Sequence, residues 1–135
     1  MEFHQGQLYH IYNRGNNKQR IFYSKENYTF FLRKMRDHLL KKAQILAYCL
    51  ITNHFHWLAY INKTRKNMSR SLNKDIGILL RSYTQAINKR YLRTGSLFRQ
   101  NTKAIELSNR SYARTCFHYI HQNPLRANLV NKMSE

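Results

Sequence analysis

The chain has 135 residues, which suits one domain over 1–135 with one core, and 42% of them are hydrophobic, so it is expected to fold. Its 24 Lys and Arg stand against 6 Asp and Glu, a net charge of +18, which points to a polyanion and most often to nucleic acid. The few carboxylates are scattered, which disfavours an acidic two-metal nuclease. No apolar run reads as long enough to span a membrane, and neither a membrane span nor a signal peptide is expected.

Gln7 to Arg14 alternates as a first strand and ends at Gly15-Asn16-Asn17. Ser24 offers an N-cap, and Tyr28, Phe31, Met35 and Leu39 follow at helical spacing, which predicts an amphipathic helix from Lys25 to about Lys42. Gln44 to Ile51 is a nearly continuous apolar run, a buried strand. Thr52-Asn53 can turn it back into His54 to Asn62 as an antiparallel partner, followed by a basic loop at Lys63 to Lys66. Leu72, Ile76, Leu79, Leu80, Tyr83 and Ile87 line one face of a second helix, from about Met68 to Leu92, with Lys74, Arg81 and Lys89 elsewhere on it. Thr94-Gly95 breaks that helix, and Thr102 to Leu107 reads as a fourth strand. Asn109 to Gln122 reads as a final helix, closed by Pro124. Cys49 and Cys116 form no CxxC and read as buried thiols in a reducing cytoplasm.

The order β-α-β-β-α-β predicts an α+β, ferredoxin-like antiparallel sheet with two helices on one face. The terminal helix, which carries Tyr119, is then free to cover the other face. If Phe55 and Trp57 face the two long helices, His54 and His56 point to that other face, because residues two apart on a strand share a side. Two imidazoles so placed are two ligands of a divalent-metal site, or else a pair on a sheet surface. On the last helix Tyr119 and Asn123 are four apart and share a face. A tyrosine hydroxyl can be a covalent nucleophile, and an amide oxygen can be a metal ligand or a helix cap.

In this order the motifs resemble the HUH single-tyrosine transposases of bacterial insertion sequences, and most of all the REP-associated tyrosine transposases (RAYT). The resemblance lies in His54-Phe55-His56, in Tyr119 to Ala127, in Tyr9 to Gly15, in Tyr48 to Asn53 and in Gly95 to Arg99. It implies one Mg²⁺ or Mn²⁺ held by His54, His56 and Asn123, with Tyr119 as the catalytic nucleophile. Tyr119 would cleave single-stranded DNA at or near a hairpin, leave a 5′-phosphotyrosine, and rejoin the strand to a 3′-OH. Arg14, Lys18, Arg20, Lys63, Arg65, Lys66, Arg99 and Arg126 are candidates for DNA contact. His121, about 200° around the helix from Tyr119, is a candidate for tuning it. The resemblance also implies a bacterial cytoplasmic, nucleoid-associated protein. It acts either as a homodimer with shared active sites or as a single chain. Where the family often has Met-Pro-Asn before the first histidine, this chain has Ile51-Thr52-Asn53. The alternative is a non-catalytic single-stranded DNA- or RNA-binding module, or an inactive relative; the Gly-rich RNA-recognition signature is absent.

Overall fold

The computed structural model describes residues 1–63 and 68–108, together with Ser111, Arg114, Thr115 and His118. Its elements are β1 (Leu8–Arg14), α1 (Lys25–Leu39), β2 (Ala43–Ile51), β3 (His54–Ile61), α2 (Met68–Tyr91) and β4 (Lys103–Glu106). Among the described residues the strands form one sheet in the order β2-β3-β1-β4, with every neighbouring pair antiparallel. This is the ferredoxin-like arrangement expected from the pattern. The helix predicted to reach Lys42 ends at Leu39, because the chain turns at once into Ala43, where Asn62 N donates to the Lys42 carbonyl at 3.0 Å.

The alternation of β3 separates two environments. Phe55, Trp57, Ala59 and Ile61 are buried against the helices. Phe31 of α1 meets Phe55 and Trp57 with ring centroids at 5.4 and 6.1 Å, and Tyr83 of α2 meets Phe31 edge-on at 5.0 Å. All six apolar residues expected on the inner face of α2 are buried, and Lys74, Arg81 and Lys89 are exposed. The large rings bury far more apolar area than aliphatic side chains would, and they dominate this core. Two polar groups are built into it. The Tyr83 hydroxyl donates to the Ile21 carbonyl at 2.6 Å. The Asn27 side chain accepts from the Tyr23 and Ser24 N–H groups at 2.8 and 3.1 Å, which ties the chain entering α1 to the first turn of the helix.

The other face of the sheet carries a small apolar cluster of Ala47, Cys49, Leu58 and Leu107, with Leu8 and Ile51 packed against it. Next to this cluster, toward the β2–β3 turn, lie His10, Tyr12, His54 and His56. Ser111, Arg114, Thr115 and His118 are helical and exposed, and the rest of the helix expected from Asn109 to Gln122 lies outside the described residues. Tyr119, His121, Asn123, Arg126, Cys116, Arg65 and Lys66 lie outside the described residues.

Candidate active site

The β1–β3 register pairs Tyr12 with His56, Arg14 with His54, and His10 with Leu58. Directly paired residues share a sheet face, so β1 delivers His10, Tyr12 and Arg14 beside the two histidines of β3. The His54 and His56 rings stand edge to face with centroids 5.0 Å apart. The His10 ring lies nearly parallel to that of His56 at 5.1 Å, and the Tyr12 ring lies 5.8 Å from His56 and 4.8 Å from His10. All four are half-buried.

Both imidazoles of the His54-Phe55-His56 motif are held through Nδ1. His54 Nδ1–H donates to Asn53 Oδ1 at 2.7 Å. His56 Nδ1 and His10 Nε2 share one hydrogen bond of 2.9 Å. Among the described residues no group of three His, Cys, Asp or Glu is placed to hold an ion. A metal here therefore needs a donor of another kind or from outside them, beside His54 and His56. Two imidazoles with hydrogen-bonded second nitrogens are a suitable start for a divalent site, because metal-bound histidines are commonly oriented in this way.

His54 and His56 line a cleft of about 890 Å³ together with Tyr12, Arg14, Arg99 and Lys103. Among the described lining residues none is acidic, so the cleft attracts anions. Its basic wall is fastened by the buried Asn13. The Asn13 Nδ2 group donates to the Arg99 carbonyl at 3.1 Å and to Thr102 Oγ1 at 3.0 Å, and Oδ1 accepts from Arg14 N at 2.7 Å. Arg99 N donates to the Arg14 carbonyl at 2.9 Å. Arg14 and Arg99, 85 positions apart in the chain, are thereby fixed side by side.

Gly15 joins this wall to the turn before His54. Its N–H donates to the Asn53 carbonyl at 2.9 Å. A Cβ at Gly15 would lie 2.1 Å from the Gln19 carbonyl oxygen, so the chain can pass here only without a side chain.

Of the basic residues singled out from sequence, Arg14 and Arg99 reach the cleft. Lys18 and Arg20 are exposed on the loop beyond Gly15, with the Arg20 guanidinium 5.9 Å from the Tyr23 ring centroid. Lys63 follows Ile61, at the end of β3 away from His54, a span of about 23 Å at the usual strand rise. Sequence reasoning named no site role for His10, Tyr12, Asn13, Asn53 or Lys103. The signal lies in the alternation of His10, Tyr12 and Arg14, but it is readable only once β1 is known to lie beside β3.

No protein-family model matches the chain, and no curated protein matches it in sequence. Solved structures do match in fold. One is the REP-associated tyrosine transposase bound to a REP hairpin, at a TM-score of 0.60 and 15% identity, covering 99% of this chain and 76% of that one. Another is a Deinococcus radiodurans R1 protein assigned as a transposase, at a TM-score of 0.57 and 16% identity, covering 90% of this chain and 97% of that one. The chain shares the fold of these two structures. Among the described residues, no helix is long and apolar enough to cross a membrane.

Proposed function

We propose that this protein is a metal-dependent strand-transferase that cuts and rejoins single-stranded DNA beside a hairpin, with Tyr119 as its nucleophile. The observation that carries this reading is the pair His54 and His56, side by side on the floor of a cationic cleft, in a fold shared with tyrosine transposases. The hairpin as substrate follows from the REP hairpin bound by one of the structures of the same fold.

In this reading His54 and His56 would hold one Mg²⁺ or Mn²⁺, with the Asn123 amide oxygen as a further donor, and such an ion would supply Lewis-acid polarisation of the scissile phosphate. Arg14, Arg99 and Lys103 neutralise the phosphates on either side and keep the strand in the cleft. The Tyr119 oxygen attacks phosphorus as its phenolic proton leaves to solvent. The bond to the 3′ oxygen breaks, and that oxygen takes up a proton to become a free 3′-OH. The DNA is left joined to Tyr119 through a 5′-phosphotyrosine. Attack by another 3′-OH reverses the step and restores the tyrosine, so rejoining needs no ATP.

The test is incubation of end-labelled single-stranded hairpins, flanked by random sequence, with wild type and Tyr119→Phe, each with and without Mg²⁺ or Mn²⁺. The expected result on a denaturing gel is a covalent adduct that needs metal and is absent in Tyr119→Phe. Retardation of the same DNA on a native gel, without adduct under any metal, would instead establish a binding module.

A further inference from the structure

We infer that His10 and Asn53 are positioning residues that set the tautomers of His56 and His54, so that both rings offer the Nε2 lone pair to one cation. The inference rests on the metal-site reading above and adds how the site is prepared before a metal arrives. A neutral imidazole has one N–H and one lone pair, and only the nitrogen with the lone pair can ligate. Asn53 Oδ1 can only accept, so the proton of His54 is on Nδ1 and its lone pair is on Nε2.

His56 has two choices across its 2.9 Å bond to His10. With the proton on His56 Nδ1, the bond runs from His56 to His10 and His56 Nε2 is ready to ligate. With the proton on His10 Nε2, the bond runs the other way, the proton of neutral His56 moves to Nε2, and the ligand is lost. A working pair therefore requires His10 to be the acceptor, with its own proton on Nδ1. The ring geometry supports a fixed orientation: His10 and His56 lie edge to edge and nearly coplanar, with centroids 5.1 Å apart and an interplanar angle of 24°, as their hydrogen bond requires, and Tyr12 flanks both rings. His10 acts through His56 and not as a third ligand, since no three such donors converge among the described residues.

The experiment uses the full chain labelled with ¹⁵N-histidine, without metal, at a pH well above the imidazole range. Long-range ¹H–¹⁵N spectra report the tautomer of each ring. Free histidine favours Nε2–H, so Nδ1–H at His54, His56 and His10 together is the expected and distinctive result. Mn²⁺ affinity is then followed by electron paramagnetic resonance. His10→Leu and Asn53→Ala are expected to weaken it about 10- to 100-fold. His10→Gln and Asn53→Asp, which keep an acceptor, are expected to recover most of that loss. Nε2–H at His56 in wild type overturns the inference without needing any variant, as does a folded His10→Leu protein with wild-type Mn²⁺ affinity. A wild-type protein that takes up no Mn²⁺ overturns the metal site itself, and the assigned role with it, whatever the tautomers.

Discussion

The two faces of β3 carry neighbouring residues with opposite duties. Phe55 and Trp57 are fully buried among Phe31, Tyr83 and Phe98, where shape and apolar area decide stability. His54 and His56, one position away, are half-buried at a cleft, where hydrogen-bond direction and charge decide what can bind. The difference teaches that one eight-residue strand holds the molecule together with its odd-numbered residues, while the first two even-numbered ones face the candidate site. Stability and activity should therefore come apart under substitutions a single residue apart.

The largest expected effect is functional. His56→Ala should lower metal-dependent DNA cleavage by at least about 100-fold, since losing only the partner of a metal ligand costs up to that much. Its unfolding midpoint in urea should stay close to that of wild type. Phe55→Ala should do the reverse, destabilising the fold by about 3–5 kcal/mol in urea unfolding. Similar stability losses in both variants would show that the two faces are not separable.

Gly15→Ala probes the junction between the faces. A methyl group there collides with the Gln19 carbonyl, so the loop must move, at about 1–3 kcal/mol. The same movement should pull on the Gly15 bond to the Asn53 carbonyl, so the His54 ring resonances should shift as well. Unshifted His54 signals in a destabilised protein would separate the loop from the site.

The smallest effect belongs to Tyr83. Burial, the main cause, pushes its hydroxyl well above the ordinary tyrosine range, and burial also raises Tyr9 and Tyr28. Each of these groups holds its proton more tightly in the folded chain than in the unfolded chain, where tyrosines ionise near pH 10. Their contribution is thus fully present below about pH 10 and is lost as pH rises through and above that value. Tyr83→Phe should cost about 1 kcal/mol at neutral pH, by leaving the Ile21 carbonyl without its donor. It should also make the alkaline loss of stability shallower, as read by urea unfolding at pH 8 to 11.

Local pattern carried much of this molecule. Period-two alternation placed Phe55 and Trp57 against the helices, because neighbouring side chains on a strand must point to opposite sides. The 3.6-residue period gave the buried face of α2 residue by residue. The end of α1 was less legible. Residues 40–42 continue a helical composition, and the boundary comes from the packing of Ala43 and Asn62 at the edge of the sheet.

The sequence by itself determined the strand and helix order, the two-sidedness of β3 and the pairing of His54 with His56, since all three follow from interactions between near neighbours in the chain. Only the tertiary structure decided that His10 reaches His56, that Asn13 binds Arg99 to Arg14, and that Lys63 lies at the other end of β3. Those facts depend on which strands pair and in what register. Register is set by burying one whole face at once, a non-local condition that no short motif contains.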